Sequence, residues 1–393
     1  MVHGNRFDVL IVGARCAGAA TALLMARRGL RVLAIDRAEY GTDTMSTHAL
    51  MRGAILQLHR WGALPRLIEM STPPVATTTF HYGDEVIEVA IKPLHGTDAL
   101  YAPRRTVLDA VLVDMAREAG ADIRHRHSLA ALLQAPSGRV TGARIIDAEG
   151  TAFTVEADLV VGADGANSTV ARMVGAPIQK EGKHAIMAQY AYWSGIDLAG
   201  YHWYYRGHWG AGTIPTNAGR TCVFAATSRQ HDPRADYRHV IESVDAPLAE
   251  MLTTAKMESR LWRFAGRKSF LRKPHGPGWA LVGDAGYFKD PLTAHGITDA
   301  LRDAELLADA AARGTERAFS GYAETRDALS MDLFDVTDAI ASLEWDMDGL
   351  KDLHRSLNRA MKEEVEYLAA LDHGRPTAAR PVGVLEDAVP LRL

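Results

Sequence analysis

The sequence is short of cysteine, of net charge and of long apolar runs, and each shortage removes a class of protein. Only two cysteines, Cys16 and Cys222, occur in 393 residues. Two are too few for a disulfide framework and these are wrongly spaced for zinc, so a reducing, cytoplasmic setting and no metal centre are expected. The formal net charge is only −4, which gives no electrostatic reason to expect nucleic acid as a partner. No stretch of about 18 consecutive apolar residues occurs, so no membrane span is expected. Met1 to Arg6 is short and polar, unlike the start of a secretory signal. What remains is a composition of 47% apolar and 23% charged residues, that of an ordinary globular chain with room for two or three structural units.

The first 36 residues read as a βαβ unit. Val9 to Val12 is a buried strand, Ala17 to Arg28 an Ala/Leu-rich helix stopped by Gly29, and Arg31 to Ile35 a second strand ending at Asp36. A polar loop, Gly41 to Thr47, leads to a helix predicted from about His48 to Arg60, with Ser46 or Thr47 as its N-cap. Alternation from Ala76 to Ile91 predicts a hairpin turning at Gly83-Asp84. A helix over Thr106–Ala119 and three strands, Asp122–Leu132, Arg139–Asp147 and Thr151–Gly162, follow. Aromatic-rich strands fill Ala185 to Ser228, Gly278 to Val282 is another buried strand, and a helix opens at Gly296. Glu316 to about His373 reads as helical, before a loosely structured Pro-containing tail. Strand-helix units at both ends of a β-rich middle predict an interleaved α/β protein.

Val12 to Gly18, V-G-A-R-C-A-G, has the frame of a dinucleotide-binding turn. Gly13 permits the tight turn after the strand and Gly18 lets the helix pack on the sheet. Between them the N–H groups of Ala14, Arg15 and Ala17 open a helix whose positive dipole end suits a phosphate. Asp36 lies 18 residues beyond Gly18, where an acidic side chain accepts from ribose hydroxyls. Arg15 stands in place of the middle glycine, either as a phosphate clamp or as a bystander. The loop alone does not choose between NAD and FAD.

Two later segments make that choice: D-L-V-V-G-A-D-G-A-N-S-T-V-A-R, from Asp158, and W-A-L-V-G-D-A-G-Y-F-K-D-P-L-T-A-H-G-I, from Trp279. In this order and spacing the three motifs resemble the p-hydroxybenzoate hydroxylase superfamily of FAD-dependent monooxygenases, and most closely a small branch with the G-A-R-C-A-G loop. The resemblance implies a Rossmann-like FAD-binding domain (1–75, 101–178, 270–325) interleaved with a β-sheet substrate domain (76–100, 179–269) and C-terminal helices (326–393). It implies non-covalent FAD, held by the glycine loop, Asp36 and Arg37, by Arg105 on the flavin side, by Asp164 and Gly165, and by Asp284 at the ribityl chain. Pro291 to Ile297 would pass beside the flavin ring, where the helix opened by Gly296 and Ile297 favours the charge of the reduced ring. NADPH or NADH would be a transient reductant, since no second glycine-loop unit exists. The chain departs from the family at Arg15, at Ser168 to Arg172 (S-T-V-A-R), and at Thr293-Ala294-His295, where many hydroxylases have a Gly-Gln-Gly-like sequence.

The implied activity is hydroxylation or oxidation of an aromatic or polycyclic small molecule with NAD(P)H and O2 through a flavin hydroperoxide, in a monomer or homodimer. Such chemistry needs a dry pocket rather than a triad, because the cofactor carries the hard steps. Tyr190, Tyr192, Trp203 and Tyr205 are candidate pocket residues; strand alternation places about half of the local aromatics on either face. Pro215, in G-T-I-P-T-N, matches the branch's turn near the substrate cavity. His48 and His295 are the candidate catalytic residues, each also readable as a capping histidine without chemistry. Asp290 reads as a loop charge, Cys16 as packing, and Trp345, Leu350, Leu353 and Leu357 as core at helical spacing. The alternative activity is a geranylgeranyl-reductase type of double-bond reduction, which expects a lipid-sized apolar groove. A halogenase is discounted: no lysine precedes Lys92, and W-G-A-G-T-I-P lacks that family's second tryptophan. A non-catalytic FAD-binding role would show bound FAD without turnover.

Overall fold

The computed structural model describes residues 6–228, 230–231 and 236–371. The polar N-terminus before Arg6 and the tail after His373 lie outside the described residues. At the centre is a mainly parallel sheet. Arg6–Val12 pairs in parallel with Val32–Asp36 on one side and Ala152–Gly162 on the other. Trp279–Leu281 and Asp122–His125 extend it outward. Leu10, Ile11, Leu33, Ala34, Val160 and Val161 have no measurable exposure, as expected for strands covered on both faces. The helix Cys16–Arg27 packs on Gly296–Arg313, and its Ala19, Ala20 and Ala22 have no measurable exposure.

The second large sheet is built from 77–90 and 186–264. Its order runs Lys256–Met257, Ile186–Ser194, Arg220–Ser228, Trp209–Thr216, Tyr201–Arg206, Thr77–Tyr82, Glu85–Ala90. One face, with Tyr190, Tyr192, Trp203, Tyr205, Ile214 and Phe224, joins the main core. The other, with Trp193, Tyr204 and Val223, is covered by the helices Tyr237–Val244 and Ala246–Thr254. Three helices close the fold: Gly296–Arg313, Glu316–Ile340 and Met347–Ala370.

Three segments depart from the expected pattern. The helix predicted from His48 begins at Arg52 with Met51 as N-cap, so neither Ser46 nor Thr47 caps it. The preceding residues are held out of the helix: the Leu50 N–H donates to Tyr101 O at 3.1 Å, and His48 takes φ +47°. The predicted strand Asp122–Leu132 is two strands, Asp122–His125 and Ser128–Gln134. Arg126, at φ +60°, turns the chain from the parallel sheet toward an antiparallel partner, Val140–Ile146. The C-terminal helical stretch breaks between Ile340 and Met347, where the Asp346 side chain caps the last helix. Trp345 therefore stands before that helix rather than on it, with its indole N–H donated to Ile340 O at 2.9 Å.

Candidate functional site

At the end of the first strand, Gly13 has φ +103°, and a Cβ there would lie 2.4 Å from Ala163 O. A Cβ on Gly18 would lie 1.8 Å from Gly13 O. Both glycines are therefore required by backbone contact. The Asp36 carboxylate accepts from the Ala14 and Ala38 N–H groups, each at 2.8 Å, and so ties the end of the second strand to the glycine loop. A carboxylate has further lone pairs for a ribose hydroxyl. Beside this loop lies a cleft lined by Ala14, Arg15, Asp36, Tyr40, Thr42 and Asp109 among others. Arg37 next to Asp36 is exposed.

The Arg15 side chain is turned toward the neighbouring loop and helix. Its guanidinium donates to Thr42 O at 3.1 Å and to Asp109 Oδ2 at 3.3 Å. Asp109, which the motifs do not single out, organises this corner. It accepts from the Cys16 N–H at 3.1 Å and takes Arg105 Nε and Nη2 at 3.0 Å each. The signal for it is the four-residue spacing of Arg105 and Asp109 on one helix. Cys16 is buried and its thiol is pushed up to about 11, chiefly by burial, so it is inert packing.

Asp164 is occupied locally: it accepts from Ser168 Oγ at 2.5 Å and from the Thr169 N–H at 2.6 Å, at the head of the short helix Thr169–Met173. Gly165 beside it turns at φ +78°. Asp284 is partly buried, and burial raises its carboxyl to about 6 against the opposing pull of Arg105. The helix beyond it opens at Gly296, as the sequence predicts, followed by Ile297 and preceded by the one-turn helix Pro291–Thr293.

The loop Asp43–His48 meets the aromatic face of the second sheet. The Ser46 N–H donates to Tyr190 Oη at 3.0 Å, and His48 Nε2 lies 3.0 Å from Tyr192 Oη. Arg104, paired with Asp43, places its guanidinium 4.2 Å from the centre of the Tyr192 ring. Tyr190 in turn stacks on Trp262. His48 is 2% exposed, and burial, helped by Arg104 and Arg105, pushes its imidazole down to about 3. It is thus a neutral ring at neutral pH, and the direction of its hydrogen bond with Tyr192 depends on the tautomer. Trp203 donates its indole N–H to Thr78 Oγ1 at 3.0 Å and packs beside Phe224. Tyr205 packs farther out, against Trp345 and His354.

Three expectations from the sequence are corrected. Pro215 is not on the aromatic face: it alternates with Ile214, which is, so its ring points to the opposite side. His295 does not open toward a cavity. Its Nε2 is 2.9 Å from Glu364 Oε2 and its Nδ1 3.3 Å from Asp299 Oδ1, within a buried ion network of Lys289, Asp299, Arg302, Asp303 and Glu364. Ligand-type atoms of His295, Asp299 and Glu364 come within 4.8 Å of one another, but Lys289 and Arg302 already neutralise these carboxylates. The cluster is an ion network under the helix start. Asp290, read as a loop charge, is 1% exposed. It accepts from Ile186 N–H at 2.9 Å and Leu292 N–H at 3.1 Å, joining the second sheet to the segment before Gly296.

Burial raises the Asp290 carboxyl to about 7. The folded state therefore holds this proton more tightly than the unfolded chain. The associated stability is full below the ordinary carboxylate range near 4 and is lost as pH rises through about 7. Asp290→Asn is expected to flatten the fall of the thermal midpoint between about pH 4 and 7. An unchanged slope in that variant would place the titration elsewhere.

Comparison with known proteins decides the family: the family model described as FAD binding domain matches residues 6–335. The chain belongs to the FAD-binding domain family. It is a flavoprotein oxidoreductase. The glycine cradle that no side chain could enter and the partly buried Asp284 fit such a cofactor. Digeranylgeranylglycerophospholipid reductase 1 of Methanopyrus kandleri is 26% identical over 97% of this chain and 98% of its own length. The 2,4-dichlorophenol 6-monooxygenase of Delftia acidovorans is 29% identical, over 46% of this chain and 33% of its own. Among solved structures, the flavin-dependent brominase Bmp2 (triple mutant) superposes with a TM-score of 0.76 at 17% identity, covering 94% of this chain and 99% of that one. The probable FAD-dependent monooxygenase PqsL of Pseudomonas aeruginosa gives 0.76 at 18%, covering 89% and 100%. These structures share the fold, an α/β domain with a parallel sheet, an antiparallel substrate sheet and C-terminal helices.

Among the described residues no helix is long and apolar enough to cross a membrane.

Proposed function

We propose that the protein is an FAD-dependent reductase that saturates carbon–carbon double bonds of an elongated apolar small molecule. The observation that carries this reading is the end-to-end similarity to the Methanopyrus reductase, 97% of this chain against 98% of that one, whereas the dichlorophenol monooxygenase aligns with less than half of this chain. The sequence alone puts hydroxylation first and this activity second; the comparisons support the reverse order. The site is compatible with it. The sheet face carrying Tyr190, Tyr192, Ile214 and Phe224 is buried and made of aromatic and aliphatic side chains, with the Arg104 guanidinium lying over the Tyr192 ring. The reductase reading also expects an exposed apolar patch, and the edge strand Glu85–Ala90 exposes Val86 (58%) and Val89 (44%).

In this reading Gly13 to Gly18, with Asp36, would hold the adenosine and pyrophosphate of FAD, and Asp284 would accept from its ribityl hydroxyls. Arg105, clamped by Asp109, keeps a positive charge beside Asp284. Asp164 would act indirectly, by holding the turn at Gly165. FAD, when bound, supplies two-electron transfer at its ring. The chain's own residues must exclude water, orient the double bond and provide a proton. Of the two tyrosine hydroxyls on this face, that of Tyr192, which lies 3.0 Å from His48 Nε2, is assigned as the proton donor. Tyr192→Phe is expected to lower turnover by about 100-fold while leaving the flavin spectrum of the purified protein intact. Equal turnover in that variant would remove Tyr192 from proton transfer.

A second reading, hydroxylation of an aromatic molecule with NAD(P)H and O2, is favoured by the parallel Tyr190–Trp262 stack, 5° between planes, which could receive an aromatic ring. The two are separated by reducing the flavin photochemically under argon and adding geranylgeranyl diphosphate. The reductase reading expects reoxidation without oxygen. Reoxidation only after air is admitted would support the monooxygenase.

A further inference from the structure

The strand Glu85–Ala90 ends the antiparallel sheet, and among the described residues it pairs on one side only, with Thr77–Tyr82. Gly83 and Asp84 make a two-residue turn that closes on the Tyr82–Glu85 pair. Along an antiparallel ladder, alternate residues bond to the neighbouring strand. Glu85, Ile87 and Val89 bond inward, and the ladder stays in step to Ile91, whose N–H donates to Ala76 O at 2.8 Å. Val86, Glu88 and Ala90 therefore turn their N–H and C=O groups to the open edge.

Edge strands are ordinarily guarded against further pairing by shortness, proline, a bulge or a cover. This strand has none of these guards. It is six residues long, keeps its register without a bulge, contains no proline, and is exposed at every position. Ile87 (37%) joins Val86 and Val89 among its exposed apolar side chains. Its only charges are two glutamates, of which Glu85 is held by Lys351. The opposite edge of the same sheet is made of two short strands, Lys256–Met257 and Trp262–Phe264. The two faces of the open strand also differ. Ile87 stands opposite Phe80, and Val89 and Ile91 follow on that face, which continues the one joining the main core. Val86 and Glu88 lie on the other face, and exposed Lys92 follows in the same alternation.

We propose that this edge pairs with the same edge of a second copy of the chain, antiparallel about a two-fold axis, with Val89 against Val89. Outward-bonding residues must meet outward-bonding residues, which leaves few registers. Centring on Ile87 sets Glu85 against Val89. Centring on Glu88 opposes two glutamates, which destabilises a pair. Centring on Ala90 carries the ladder into Pro93, past the end of the hairpin. Centring on Val89 avoids all three. It sets Ile87 against Ile91 of the second copy on the apolar face, and it brings Glu88 within diagonal reach of the second copy's Lys92 on the other. Neither Glu88 nor Lys92 has an ion-pair partner among the described residues, although the Lys92 carbonyl accepts from Arg52 at 2.7 Å. An edge ladder of this length is small for a specific interface, so a reversible dimer with a dissociation constant of about 1–100 μM is expected.

This pairing is independent of the reductase reading, and its test needs no turnover. Opposed residues that do not hydrogen-bond to each other have Cα atoms about 4.5 Å apart, within the reach of a disulfide. Both native cysteines are buried, so an added thiol reports alone. FAD-loaded Val89→Cys protein, treated with oxidised glutathione, is expected to run as a disulfide-linked dimer. Val86→Cys, equally exposed but about 20 Å from its own copy at about 3.3 Å per residue, should stay monomeric on the same gel. Sedimentation of the unaltered protein should show a concentration-dependent dimer. Glu88→Lys should weaken it about tenfold or more, and adding Lys92→Glu to that variant should restore it. No cross-link in Val89→Cys, equal cross-linking in both variants, or a dimer indifferent to Glu88→Lys would overturn the proposal. So would a monomer that floats with phosphatidylcholine–phosphatidylglycerol vesicles and loses them on Val86→Ser/Val89→Ser, which would assign the edge to a lipid surface.

Discussion

Gly18→Ala protein is expected to purify without its yellow colour. The new Cβ would stand 1.8 Å from Gly13 O and 3.2 Å from the Ala163 side chain, far inside any real contact. Relief requires the helix Cys16–Arg27 to back away from the end of the first strand, which disperses the N–H groups of Ala14, Arg15 and Ala17. These are the groups at a helix start that meet a pyrophosphate. The measurement is the ratio of flavin to protein absorbance, followed by titration with FAD. Loss of affinity by a factor of about 1,000 or more corresponds to about 4 kcal/mol. The Asp36→Ala variant offers a milder comparison, since it removes a carboxylate but leaves the backbone contact intact. A Gly18→Ala protein that holds FAD at wild-type affinity would mean that the loop is a plain strand-helix turn and that the cofactor sits elsewhere.

Arg302→Leu is expected to be the most destabilising single change away from the cofactor. Arg302 has no measurable exposure and reaches Asp303 at 2.9 Å, Glu364 at 2.8 Å and Asp299 at 3.1 Å, with Ser330 Oγ accepting at 2.9 Å. The three carboxylates are balanced by Arg302, Lys289 and His295, whose imidazole is held above its ordinary range by Glu364 and Asp299 in spite of burial and Lys289. Removing the arginine leaves buried negative charge without its counterion, a loss of about 3–5 kcal/mol. Urea unfolding should register it as a lower midpoint with unchanged slope. The network ties the helix Met347–Ala370, through Glu364, to the segment before Gly296. The variant that does fold should therefore also bind FAD less tightly. A loss below about 1 kcal/mol would mean that the charges are hydrated and the network is peripheral.

The parts of the fold that are legible in the sequence share one property: their signals are local. Gly13, Gly18 and Asp36 announce a nucleotide loop because a turn, a close approach and a strand end each demand one residue type within a short span. The hairpin at Gly83 and the helix opening at Gly296 are legible for the same reason. What is hidden depends on partners distant in the chain. Lys289 and Glu364 are 75 positions apart, and nothing in either neighbourhood advertises a shared buried network. His295 reads as a residue beside the flavin because the resemblance puts Pro291 to Ile297 there, yet its side chain goes into the ion network. Pro215 fails on parity: one step along a strand reverses the face. Asp290 precedes a proline in a turn-like sequence, and only the fold brings the Ile186 N–H to it. His48 does meet a tyrosine of the aromatic face, but the helix expected to begin there starts four residues later, because Leu50 pairs with Tyr101 instead.

In the proposed reductase reading, this flavoprotein delivers electrons to a carbon–carbon double bond without oxygen. The most direct test of that reading is a single-turnover experiment under argon. FAD-loaded protein is reduced by light, mixed with geranylgeranyl diphosphate, and followed by flavin absorbance, with the product weighed by mass spectrometry. A reductase is expected to return the oxidised flavin spectrum at a substrate-dependent rate and to yield a product that gains two hydrogens for each double bond reduced. A flavin that stays reduced until oxygen is admitted, with a product heavier by one oxygen atom or with peroxide alone, would contradict that reading.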